Sequence, residues 1–132
     1  MQYCTITIAT SVDGKQTTAK YQGNMQASAS SVRLAYTDGN ATVSIALNAT
    51  QGEIVRDGDY SLQLPLKTEE TTQGTIGVNG SQGEVGVYTS KIAFSTSENG
   101  VLAQLHYQLI FGQERQVMRL RIHATADKIR EL

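Results

Sequence analysis

VLAQLHYQLIFGQERQVMRLRIHA, residues Val101 to Ala124, folds on paper into one β-hairpin whose two strands agree about which face is buried. Gly112-Gln113 supplies a two-residue loop with glycine in first place, as a type II′ turn requires. That turn sets Leu109 opposite Gln116, Tyr107 opposite Met118, Leu105 opposite Leu120, Ala103 opposite Ile122 and Val101 opposite Ala124, an almost wholly apolar face. The other face pairs Ile110 with Arg115, Gln108 with Val117, His106 with Arg119, Gln104 with Arg121 and Leu102 with His123. A period of two on both strands in matching register specifies β structure, because a slip of one residue would exchange the faces.

The same logic extends along the chain through turns built from glycine partnered with Asp or Asn. Asp38-Gly39 is expected to join Ser31–Thr37 to Asn40–Asn48, with Tyr36 opposite Ala41, Leu34 opposite Val43 and Val32 opposite Ile45. Asp57-Gly58 joins Glu53–Arg56 to Asp59–Lys67, where Tyr60, Leu62, Leu64 and Leu66 alternate with polar residues. Asn99-Gly100 joins Lys91–Thr96 to the strand from Val101, with Phe94 opposite Leu105 and Ile92 opposite Tyr107. Val85 and Val87 are odd-numbered whereas Ile92 and Phe94 are even, so one extra residue between Tyr88 and Lys91 is expected as a β-bulge. Only Thr125 to Leu132 offers a helical turn or two. Eight to ten antiparallel strands with one apolar face and no covering helix must bury that face against themselves. Hairpin succession favours an up-and-down barrel over a sandwich.

The chain, 132 residues, is long enough for a single domain (1–132) with its own core. Eleven basic and twelve acidic residues give a net charge of −1, which excludes a whole-molecule field drawing in nucleic acid or an anionic membrane. The lone Cys4 excludes an internal disulfide framework, and no export signal or apolar membrane span is evident, so a cytoplasmic protein is expected.

Three segments carry a family resemblance: Val55-Arg56-Asp57-Gly58, then Gly83-Glu84-Val85-Gly86-Val87-Tyr88-Thr89, then Tyr107-Gln108-Leu109 before the last strand. In order and spacing they resemble the YwiB-like family of calycin-like β-barrel proteins of bacteria, whose function is unknown. The resemblance implies a lipocalin-like antiparallel barrel, bacterial and cytoplasmic, without an assigned activity. Thr71 to Gln82 departs from that pattern, being glycine-rich and lacking the Tyr-x-Thr-Pro-type segment of the family.

No chemistry announces itself. Ser and Thr are abundant, yet none lies in a nucleophile elbow, and Cys4 reads as a small buried group. Gly74 to Gly80 lacks the helix and the Lys-Ser/Thr ending of a phosphate loop. Glu69 and Glu70 are adjacent, which would send them to opposite faces. His106 and His123 have no third ligand, so neither a metal nor a cofactor is expected. The expected reading is therefore a non-enzymatic module that binds a small hydrophobic ligand inside the barrel, with Tyr36, Phe94, Tyr107, Gln116 and Met118 lining the site. Met25 is placed inside with them; the same side chains would equally serve as the core of a filled barrel.

Two surface readings stand beside it. A homodimer could form through an opening at the glycine-rich segment, and His106, Arg119 and Arg121 make an outward anion patch, with Arg115, Lys128 and Arg130 adding to its charge. An ordinary solvated face balanced by Glu114 is the simpler account of that stripe. Nucleic acid is not the expected partner, since stacking aromatics do not interleave with the arginines.

Overall fold

Ten antiparallel strands close on themselves in an up-and-down barrel, each strand hydrogen-bonded to its sequence neighbours and β1 to β10. The computed structural model describes residues 2–127, and no helix occurs among them. The strands are β1 (Gln2–Val12), β2 (Lys15–Ala27), β3 (Ser31–Asp38), β4 (Ala41–Asn48), β5 (Gln51–Asp57), β6 (Tyr60–Lys67), β7 (Thr71–Val78), β8 (Ser81–Ser97), β9 (Gly100–Phe111) and β10 (Glu114–Ala126). The helical turn expected from Thr125 is absent at its start, where Thr125 and Ala126 finish β10. Its remainder, with Lys128 and Arg130, lies outside the described residues.

The β9–β10 hairpin has the register its sequence dictates, from Glu114 against Phe111 to Ala124 against Val101. Gly112 takes φ +60, the conformation a type II′ turn needs at its first residue. The bulge also lies where parity demands it: Thr89 faces Tyr107 and Lys91 faces His106, leaving Ser90 as the extra residue.

Three turns differ from expectation. In β3–β4 the pairs are Asp38 with Ala41, Tyr36 with Val43 and Leu34 with Ile45, because Gly39, at φ +62, occupies the first turn position and the loop is Gly39-Asn40. In β8–β9 the loop is Glu98-Asn99, so Phe94 faces Ala103 and Ile92 faces Leu105. There Gly100 serves close approach, since a Cβ on it would lie 2.5 Å from the carbonyl oxygen of Ala124. Both shifts are by two residues, which keeps every side chain on its expected face. The β5–β6 connection is wider than a tight turn. Its last ladder pair is Arg56 with Leu62, and Arg56 spans the loop to Asp59 at 2.9 Å.

The glycine-rich segment is no opening. β7 pairs with β8 over its whole length from Thr71 to Val78, and Tyr60–Gln63 of β6 pair with Thr75–Val78. The β6–β7 ladder ends at Gln63 with Thr75, short of Pro65, which has no N–H to give; beyond it the Thr72 hydroxyl donates to the carbonyls of Pro65 and Val87. A barrel with all ten strands paired offers no free edge for the strand-to-strand dimer that an opening would have allowed.

The inward rows are continuous. Met25, Leu34, Ile45, Ile54 and Leu64 belong to one row and Val101, Ala124 and Ile6 to another, all buried. Ile6, Val32, Val87, Leu105, Ile122 and Ala124 expose 0% of their surface. A water-sized void beside any of them would leave exposed surface on its wall, so the barrel waist is filled by side chains.

Candidate functional site

The two ends of the barrel differ. One end carries the tight hairpin turns β1–β2, β3–β4, β7–β8 and β9–β10 together with the wider β5–β6 loop; the other carries the remaining four connections and both ends of the described chain. At the hairpin end an uninterrupted ladder row runs Gly23, Tyr36, Val43, Arg56, Leu62, Ile76, Gly83. All of these positions point to the lumen, yet Tyr36, Leu62 and Ile76 are only half-buried, as are Gln116, Met118 and Leu120 across the barrel on β10. One step nearer the rim, Tyr60 is 40%, Val78 49% and Phe111 41% exposed. These three continue the inward rows of Leu62, Ile76 and Leu109, so the apolar lining runs out of the lumen onto the rim. The hairpin end is an apolar mouth.

A polar knot sits on one side of it. The Arg56 guanidinium donates to Asp38 Oδ2 at 3.0 Å and to Asp59 Oδ1 at 2.9 Å, and its carbon lies 4.1 Å from the centre of the Tyr60 ring. Its side chain is only 11% exposed, and Nε is buried with no hydrogen-bond partner. Burial works against its charge, but the hydrogen bonds it donates to Asp59 and Asp38 outweigh burial and raise its pKa. Beside it the rings of Tyr36 and Tyr21 stack at 4.4 Å and 24°. Glycine makes this stack possible: a Cβ on Gly23, the ladder partner of Tyr36, would fall 2.9 Å from the Tyr36 Cβ. Burial, then Tyr21 and Asp38, push the Tyr36 phenol above its ordinary value.

The sequence-predicted residues divide. Tyr36, Gln116 and Met118 all face the lumen toward the mouth, with Tyr107 deeper beside Met118, its phenol raised by burial. Phe94 is not with them; it faces Ala103 near the β8–β9 turn at the opposite end. His106, Arg119 and Arg121 point outward, with His106 and Arg119 on one rung, and line a hollow of about 340 Å³ on the outer wall together with Ser11, Gln16 and Gln104. Cys4 is buried, its thiol pushed up by burial and then by Asp127.

Sequence reading missed Arg56, Tyr21 and Tyr60. Arg56 was legible only as part of a family motif, although its parity with Ile54 marks it as lumen-facing. Among the described residues no group of three or more His, Cys, Asp or Glu could hold a metal, and no helix is long and apolar enough to cross a membrane.

With this geometry in hand, known proteins supply kinship and no chemistry. The family model described as a domain of unknown function (DUF1934) matches residues 2–123. The crystal structure of ywiB protein from Bacillus subtilis has a TM-score of 0.78 at 14% identity, covering 96% of this chain and 93% of that one, which establishes a shared barrel fold. No curated protein matches the sequence.

Proposed function

The chain belongs to the DUF1934 family, and from that premise, which assigns no activity, we propose that it is a non-catalytic binding module taking a small, largely apolar molecule at the open mouth of its barrel. The observation that carries this reading is the exposed apolar rim of Tyr60, Val78 and Phe111 above half-buried Leu62, Ile76 and Met118. Water-facing apolar surface around one end of a barrel is costly, and a ligand or partner that covers it recovers the hydrophobic free energy. The filled waist limits the ligand to the mouth. Tyr36, with Tyr21 stacked on it, offers a flat aromatic wall, and Gln116 offers a polar anchor across the opening.

A ligand bound only by the native state must raise its melting temperature. Fatty acids, flavins and other hydrophobic metabolites are therefore screened by thermal shift against the wild type and Met118→Ser. At least one class is expected to stabilise the wild type and to lose that effect in the variant; no shift from any of them counts against the reading. The same rim favours one second reading, a homodimer meeting mouth to mouth. Light scattering that shows dimer in the wild type and monomer in Phe111→Ser would put the second reading in place of the first.

A further inference from the structure

The outer wall across β8, β9 and β10 carries two adjoining hollows that the mouth does not use. The first is the hollow of about 340 Å³ holding His106, Arg119 and Arg121; the second, about 510 Å³, is lined by Ala93, Ser95 and Leu102. Gln104 and Arg121 line both, so the two form one groove with a cationic half and an apolar half. Short outward side chains explain the relief: Ala9 and Ser11 on β1 and Ala93 and Ser95 on β8 flank the long arginines of β10.

We propose that this groove is a second binding site, one that takes a small phosphorylated molecule bearing an apolar group, the phosphate between His106, Arg119 and Arg121 and the apolar part against Ala93 and Leu102. Four observations carry it. Arg119 and Arg121 make no ion pair among the described residues, and no Asp or Glu lines either hollow. β9 contains no acidic residue and β10 only Glu114 at its turn, so the balance by neighbouring carboxylates that an ordinary sheet face would show is missing. Lys91 Nζ donates to Gln104 Oε1 at 3.1 Å, which occupies the amide oxygen and leaves its N–H donors for an anion. Leu102, 55% exposed, is a large apolar side chain standing in water at the other end of the groove. Guanidinium forks match phosphate oxygens, and two of them two residues apart on one strand point to the same side. Burial, then Arg119 and Lys91, lower the pKa of His106, as a cationic field without a counter-ion should.

Titration calorimetry of the full chain with naphthyl phosphate, naphthol and inorganic phosphate tests the site. Naphthyl phosphate is expected to bind more tightly than either half alone. Arg119→Gln with Arg121→Gln should weaken it by roughly tenfold or more, the scale of a lost charge-assisted hydrogen bond. The melting temperature should hold, because both side chains are outside the core. Leu102→Ser should erase the advantage of naphthyl phosphate over inorganic phosphate while leaving phosphate binding intact. Should the double variant fail to fold, the His106 ring resonances of the wild type decide, since they must move as naphthyl phosphate is added. Naphthyl phosphate no tighter than inorganic phosphate, unmoved His106 resonances, or binding of a single-stranded oligonucleotide without naphthyl phosphate would each overturn the proposal, the last making the groove a polyanion surface. A silent mouth leaves this experiment unaffected, so the two sites fail separately.

Discussion

The two ends of this barrel are built from the same kind of strands, yet one is sealed and the other open. At the sealed end Cys4, Met25, Val32, Leu47, Leu66 and Val101 are all buried, with Phe94 and Ile92 beyond the bulge only half so. The cause is a crossing segment, residues 68–70. Thr68 donates its N–H to Thr50 O at 3.0 Å, and Glu69 donates to Thr89 O at 2.7 Å, so the β6–β7 connection extends the β5–β6 ladder to the β4–β5 loop and reaches past the end of β7 to β8. At the hairpin end no connection crosses. Four of its loops are two-residue turns; Asp13 of the β1–β2 turn also bonds Val117 of the adjacent β10, and the inward rows simply run out into solvent. Closure of a barrel end is thus decided by one connection long enough to bridge, and apolar pattern along the strands does not by itself decide it.

Leu62 and Leu66 test that difference within β6, since both point inward and differ in which end they occupy. Leu66 is buried at the sealed end opposite Gly52, and truncation there leaves a cavity that rigid neighbours cannot collapse. Leu66→Ala is expected to cost about 2–5 kcal/mol. Leu62→Ala, at the half-open mouth, should cost less than half as much, because water fills the space and part of the side chain was already exposed. Urea unfolding of the two variants measures both; equal losses would mean the mouth is as well packed as the sealed end.

Arg56 gives an intermediate effect at the mouth. Arg56→Gln removes both carboxylate contacts and the cation over Tyr60, and a stability loss smaller than that of Leu66→Ala is expected at neutral pH. The hydrogen bond from Arg56, and next the backbone N–H of Tyr60, hold the Asp59 carboxyl below its ordinary value. A carboxylate depressed in the folded state stabilises fully above its ordinary value and loses that contribution as pH falls through the folded one. The gap between wild type and variant should accordingly narrow on acidification below about pH 4, where unpaired aspartates take up protons. A gap that stays constant to low pH would show that Arg56 acts by packing alone.

How much of this was readable beforehand follows from what each feature depends on. The bulge at Ser90 and the inward rows of β9 and β10 rest on parity, which a sequence states directly. Pairings in β3–β4 and β8–β9 slipped by two because the choice between Gly39-Asn40 and Asp38-Gly39, or Glu98-Asn99 and Asn99-Gly100, turns on where each glycine's freedom is used. At Gly100 it is used against Ala124 on a neighbouring strand, a contact no local pattern reveals. The outward placing of His106, Arg119 and Arg121 was legible for the same reason as the hairpin, whereas the position of Ala93 and Ser95 beside Gln104 and Leu102 depended on the corrected β8 register. The mouth was half legible. Tyr36, Gln116 and Met118 were found by parity, but Phe94 was placed with them because a sequence gives the face of a residue and not the end of the barrel it occupies. Arg56 escaped because an inward arginine is stable only with Asp38 and Asp59, and those partners meet through three different segments.

The smallest effect is expected on the crossing segment itself, and it has the opposite sign. Glu69 sits at φ +64, the left-handed region in which a side chain's Cβ crowds the backbone. Its side chain is exposed, and what the position contributes is the backbone N–H to Thr89 O, which glycine retains. Glu69→Gly removes the crowding, while the freer unfolded chain takes part of that gain back, leaving a net stabilisation of about 0.5–1 kcal/mol. Urea unfolding measures the gain, and hydrogen exchange at residue 69 should slow with it if the segment opens only when the sealed end does. A destabilised variant would mean that the glutamate side chain holds the segment in place, and that the seal rests on more than the three backbone hydrogen bonds with Thr50 and Thr89.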